Sequence, residues 1–347
     1  MPIQDMTFEG RALVGRELEE KEVLIEVRDG IVHRIEEITG TENSLWLCPA
    51  FFNAHTHLGD SIAMDIPAKG SLEELVKPPF GLKHRILADT GKEQLVRSMR
   101  ATLLTMAGWG QAGFADFREG GIDGVDALRQ AVHDIPLMPV ILGRDGGEHV
   151  ANGIGVSSVR DIRDIESSIR LVRERGGMVA FHAGERDSAD IDPALEYEPD
   201  LLVHCTHATP RQLARISEME IPVAVCARSN WKLGVSSSGT RPPLHEMKKQ
   251  GCKILLGTDN VMFVQPDMWR EMEFVATIYR MDPESVLRSA IDGAGLIDHS
   301  YYLEEGNPAN FLVLDPRISN LQLSRDLHST LANRAGESSI VNKVFNS

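Results

Sequence analysis

The sequence predicts an α/β fold, a (β/α)8 barrel carrying a small sheet domain assembled from both chain termini. Three observations predict it. Apolar strand-like runs end near Phe52, Phe117, Leu142, Phe181, Val203, Val225 and Leu256, with amphipathic stretches at 124–132, 157–175, 210–219 and 243–250 between them. β-rich segments stand at both ends of the chain. Histidines and carboxylates recur where the apolar runs stop.

At the start, 23–28 reads as a short strand, and Asp29-Gly30 turns it into a second at 31–35, because Asp-Gly suits the left-handed geometry of a tight hairpin. The interval from Leu142 to Phe181 holds one more short strand, at 153–156. That completes eight β–α units over about 240 residues, the size of such a barrel. A doubly wound open sheet is the alternative. It calls for a Gly-rich phosphate turn after its first strand, which this sequence lacks. Asp282 as N-cap and Pro283 at the first helical position open a helix through Ile291. Strands at 311–315 and 339–345 return to the terminal sheet.

Composition sets the class. Of 347 residues 42% are hydrophobic and 25% charged, the balance of a folded soluble chain. With 36 basic against 51 acidic residues the net charge is −15, which argues against nucleic acid and against anionic membranes as partners. Aromatics at 5% are too few for a platform that stacks single strands. No run approaches the roughly twenty apolar residues of a membrane span. The first residues lack the basic flank and apolar core of a signal peptide. Cys48, Cys205, Cys226 and Cys252 show no metal spacing and read as free thiols in a cytoplasmic protein.

The chemistry concentrates at the strand ends. In the run Asn53-Ala54-His55-Thr56-His57, His55 and His57 are two apart and point the same way, a natural half-site for a divalent cation. His182 ends another run, with Glu185 three residues on. His204 and His207 follow Val203, and Asp259 follows Leu256. In a barrel these ends form one rim, the catalytic face. His207, three beyond His204, runs past the strand end and reads as structural.

These residues resemble the amidohydrolase superfamily, and within it the cytosine deaminase / chlorohydrolase-like branch. The resemblance spans nearly the whole chain, from the His-x-His strand through Ser229-Asn230-Trp231-Lys232-Leu233-Gly234 to Gly306-Asn307-Pro308-Ala309-Asn310. Ala50 and Asn310 depart from the usual Gly and Asp, both away from the rim. The resemblance implies a distorted (β/α)8 TIM barrel at 49–303, with a small β-sandwich domain built from 1–48 and 304–347. It implies a metal held by His55, His57, His182 and Asp259, with His204 either a ligand or a hydrogen-bond partner of the attacking water. Binuclear members bridge their ions with a carbamylated lysine on a middle strand. No lysine lies between Lys92 and Lys232, which leaves one divalent ion. Nitrogen and oxygen donors suit Zn²⁺, and also Fe²⁺ or Mn²⁺.

A divalent ion lowers the pKa of its water towards 7. Asp259 is placed to take the proton, His204 to steer the water, and Glu185 to protonate a ring nitrogen so that ammonia can leave. The resulting expectation is an aminohydrolase of a nitrogen heterocycle: a nucleobase, nucleoside or pterin-like ring. The alternative is the same site with another leaving group, as in imidazolone ring opening or a chlorohydrolase. The Cys-based zinc deaminase motif is absent. The 59–90 segment, with Pro67, Pro78 and Pro79, is a candidate lid. Asp60, Glu119, Arg144, Glu148, His149 and Trp231 follow strand ends and are candidate contacts to the ring. A homodimer is compatible with all of this.

Overall fold

The computed structural model describes residues 5–40, 45–66, 70, 74–75, 80–160 and 165–346. Its strands are, in chain order, β1 (Met6–Val14), β2 (Glu19–Arg28), β3 (Ile31–Glu37) and β4 (Trp46–Pro49), then β5 (Phe51–His57), β6 (Gln111–Arg118), β7 (Met138–Gly143) and β8 (Gly153–Val156). After these come β9 (Met178–Ala183), β10 (Leu201–His204), β11 (Val223–Val225), β12 (Ile254–Leu256), β13 (Asp259–Asn260), β14 (Phe311–Leu314) and β15 (Ile340–Val344). Pro67, Pro78 and Pro79 of the expected lid lie outside the described residues.

The strands from β5 to β12 pair in sequence order, all in parallel. β13 is the continuation of β12 and pairs with β5, Asp259 opposite Thr56 and Asn260 opposite His57. The last strand thus bridges β11 and β5 and closes the barrel. Gly257 makes that crossing possible: a Cβ there would lie 2.8 Å from the His55 Cβ. The middle strands are near-continuous apolar runs because both faces are covered, one by the barrel interior and one by helices. Every residue of β5 and of β6 is buried.

The terminal segments form a second, six-stranded sheet in the order β15-β14-β4-β1-β2-β3. Its two faces have different partners because side chains alternate along a strand. Leu47, Phe311 and Val313 join Val23, Ile25 and Val27 in the sheet domain's own core, where Phe8 meets Phe311 edge-on. Trp46, Cys48, Leu312 and Leu314 point the other way, into the barrel's core. The fold is the distorted barrel plus small sandwich that the sequence implied.

The expected hairpin and the 153–156 strand form as read. Of the helix expected at 157–175, Ile165–Glu174 forms, and 157–160 are turn and bend instead. Ser158 Oγ accepts the Arg160 N–H at 3.2 Å, a local turn that competes with helix. Past the sheet strand β14 the chain makes a further helix, Leu327–Asn333, whose Leu327 and Leu331 pack in the barrel's core. No helix among the described residues is long and apolar enough to cross a membrane.

Candidate metal centre

The five expected donors converge. His55 is fully buried, and His57, His182, His204 and Asp259 each keep less than a tenth of their surface. His55 Nε2 lies 3.2 Å from Asp259 Oδ1 and 3.3 Å from His182 Nε2. His57 Nε2 is 3.5 Å from the same Asp259 oxygen. The donor atoms of His55, His57 and His182 fall within 4.8 Å of one another, and so do those of His55, His204 and Asp259. The two sets share His55.

Hydrogen bonds behind the rings fix which nitrogen faces the centre. His57 Nδ1 lies 3.2 Å from the Phe117 carbonyl and His182 Nδ1 3.0 Å from the Val156 carbonyl. A carbonyl only accepts, so each Nδ1 carries the proton and each Nε2 turns a lone pair inward. Burial holds the His55, His57 and His182 imidazoles below their ordinary range, His57 at about 3, so all three are neutral near pH 7. Burial pushes the Asp259 carboxyl up, but the hydrogen bond from His55 outweighs it and holds it well below the usual range. His55 Nε2 meets both the Asp259 carboxylate at 3.2 Å and the inward His182 nitrogen at 3.3 Å, and a single ring proton cannot satisfy both. The donor set therefore fits a divalent ion with nitrogen and oxygen preferences.

Two donors sit in unusual backbone. His204 has φ +74°, followed by Cys205 at +46°, and Asp259 has φ +62°. Non-glycine residues rarely occupy this region, and such positions concentrate at functional sites. Ser229, within the Ser-Asn segment of the resemblance but given no role there, donates to Asp259 Oδ2 at 2.6 Å. That leaves Oδ1 facing the histidines. Asn230 donates to Thr206 at 2.8 Å and pins the same helix, Ala227–Lys232, against the next loop.

Glu185 stands at the edge of the cluster, its side chain 22% exposed and Oε1 3.8 Å from His204 Nε2. Burial raises its carboxyl above the ordinary value, offset in part by His204. His207 contributes its backbone N–H to Gly184 and brings no ring nitrogen to the cluster.

The expected ring contacts have other occupations. Asp60, Glu119 and Arg144 are drawn into a buried ion network with Lys83 and Arg118. Glu148 accepts from the Gly146 N–H and from Ser168. Trp231 keeps 37% of its surface and packs edge-on against Phe274. Lys83 and Arg118 had no part in the sequence reading. Arg118-Glu119, two adjacent charges closing a wholly buried strand, was the signal available for the second.

A family model described as "Amidohydrolase family" matches residues 46–151 and 163–344. A protein of Methanothermobacter thermautotrophicus named as an aminohydrolase is 34% identical, over 96% of this chain and 95% of its own length. Among solved structures, E. coli guanine deaminase superposes with a TM-score of 0.78 at 18% identity, covering 99% of this chain and 98% of that one. An adenosine deaminase from Xanthomonas campestris with bound zinc gives 0.77 at 16%, covering 98% and 91%. At these identities the two structures speak to the fold alone. The histidine and aspartate cluster at the rim of a closed barrel, together with a family match over most of the chain, leads to one conclusion: this chain belongs to the amidohydrolase family, hydrolases acting on carbon–nitrogen bonds other than peptide bonds.

Proposed function

We propose that the chain is an aminohydrolase that takes one divalent ion, Zn²⁺ first and Fe²⁺ or Mn²⁺ as chemically compatible substitutes, and deaminates a nitrogen heterocycle. The observation that carries it is the convergence of His55, His57, His182, His204 and Asp259, with Glu185 at its edge. A relative named as an aminohydrolase supports the leaving group.

When bound, the ion supplies an acidified water near neutral pH. Asp259, ionised and held through Oδ2 by Ser229, offers Oδ1 to take a proton from that water. His204 lies between Glu185 and the other donors, placed to orient the attack. Glu185, its carboxyl raised by burial, is suited to deliver a proton to the ring nitrogen as the C–O bond forms. Asp259 then passes the proton it took to the amino group, the C–N bond breaks, ammonia leaves, and the remaining hydroxyl proton returns to Glu185 as a ring carbonyl forms. Substrate is a small heterocycle, with neither nucleic acid nor membrane as partner.

Ammonia release from a panel of purines, nucleosides, pyrimidines and pterins tests the reaction. Hydrolysis without ammonia would replace this reading with the other leaving groups. Glu185→Gln should cut turnover by about 10²–10⁴-fold while bound metal, measured by elemental analysis, stays at the wild-type level. Surviving activity would remove Glu185 from the proton path.

A further inference from the structure

We infer that Glu119 is the positioning residue for His57, and that Arg118 and Arg144, one on each of its oxygens, hold its carboxylate in place. The inference rests on the reading of His57 as a metal ligand. Glu119 is 6% exposed, and both its oxygens are taken. Oε1 lies 3.1 Å from His57 Nδ1, 2.8 Å from Lys83 Nζ and 2.7 Å from Arg144 Nη2. Oε2 accepts from Arg118 Nη2 at 2.7 Å. No face is left for a substrate ring, so its business is with His57.

His57 differs in this from the other three histidines. His57 Nδ1 meets this carboxylate beside the Phe117 carbonyl, whereas the Nδ1 of His182 meets only a backbone carbonyl and, among the described residues, the Nδ1 atoms of His55 and His204 have no partner. A carboxylate behind a ligating imidazole fixes the ring and raises its basicity, and such partners matter to metal affinity by about 10–100-fold. A buried carboxylate alone would be costly, and here Arg118 pairs with one oxygen while Arg144 and Lys83 pair with the other.

The network is balanced. Lys83, Arg118 and Arg144 face Asp60, Asp116 and Glu119, three basic side chains against three acidic ones. The six residues come from three segments: Asp60 and Lys83 after β5, the Asp116–Arg118–Glu119 group at the end of β6, and Arg144 after β7. Gly59 admits the Arg118 side chain, since a Cβ there would lie 2.2 Å from its guanidinium.

The balance gives the test two signs. Chelated full-length protein is titrated with Zn²⁺ against a chromophoric chelator. Glu119→Gln removes an anion and the His57 partner, and should bind Zn²⁺ about 10–100-fold more weakly. Lys83→Met removes a cation near the ligands while Arg144 and Arg118 still hold both oxygens of Glu119, and should bind Zn²⁺ as tightly as wild type or more tightly. A network that only supports the fold would weaken both alike. Equal loss in the two variants, or Glu119→Gln within threefold of wild type, would overturn the inference. If Glu119→Gln does not fold, Glu119→Asp carries the test: it keeps the charge, withdraws it from His57 by one methylene, and should also weaken Zn²⁺. A wild-type chain that binds no Zn²⁺ would instead overturn the metal reading beneath it.

Discussion

Removing the divalent ion should lower the melting temperature by an amount that chain length and binding set together. The five donors are assembled only in the folded chain, since they lie at four strand ends separated by up to about two hundred residues. A ligand that binds the folded state alone stabilises it by about 4.1 kcal/mol at 1,000 times its Kd. A chain of 347 residues unfolds with an entropy of about 0.7 kcal/mol/K near 60 °C. The shift on saturation is then about 6 °C, or roughly 2 °C for each decade of free ion. Thermal unfolding of chelated protein, with Zn²⁺ raised in decades, reads it directly. Asp259→Ala deletes the oxygen 3.2 Å from His55 and 3.5 Å from His57, so its climb should begin at least about one decade higher. Glu185→Gln should climb with wild type. A wild-type melting temperature that stays flat across the whole range would refute the reading of these residues as a metal centre.

Two further expectations follow from single contacts. Ser229→Ala removes a 2.6 Å hydrogen bond to the buried Asp259 carboxylate, a bond to a charged group worth about 1.5–3 kcal/mol; kcat/KM should fall by about 10–100-fold, with Ser229→Thr restoring most of it, and an Ala variant within threefold of wild type would deny Ser229 the role. Asp282 caps the helix Pro283–Ile291 through the Ser285 N–H and pairs with Lys248, and these outweigh its burial to hold its carboxyl at about 2 against 3.8. A depressed carboxylate stabilises above its unfolded pKa and stops doing so as pH falls through the folded one. Asp282→Ala should therefore cost about 1 kcal/mol at pH 7 in urea unfolding, with the gap closing between pH 4 and pH 2; a gap constant down to pH 2 would contradict the assignment.

The barrel and its donors were legible because both are written locally. Strand ends show as the last apolar residue before a polar one, and the rim follows from the fold, so His55, His57, His182, His204 and Asp259 could be placed together before any coordinates. The hairpin at Asp29-Gly30 and the strand at 153–156 were legible for the same reason. Helix Leu327–Asn333 was not: seven residues with two core leucines give too little periodicity, although Asp326 caps it by accepting from Ser329 N–H at 2.9 Å. The sheet order was hidden too, because β1 lies parallel beside β4 through a connection that no turn motif announces. The ion network was the least legible feature. Asp60, Lys83, Glu119 and Arg144 each look like a solvated loop charge in sequence, and only the closure of neighbouring strands buries them against one another.

The backbone at the centre argues that the donors are held by the barrel. A strand left to itself continues with φ negative and its side chains alternating, which would carry the residue after Val203 along the same ladder. His204 and Asp259 leave that path at φ +74° and +62°, and each such residue costs on the order of 1–3 kcal/mol. The cost is sustained by what surrounds them. Val203, Cys205, Val225 and Cys226 are wholly buried, Leu256 nearly so, and the Cys205 and Thr258 N–H groups are tied to the Ala183 and His55 carbonyls at 2.9 and 3.1 Å. Glycine would relieve both positions and would supply no donor. On the proposed reading, the strain at His204 and Asp259 is borne for the imidazole and the carboxylate themselves, which singles out these two strand ends above the apolar runs before them.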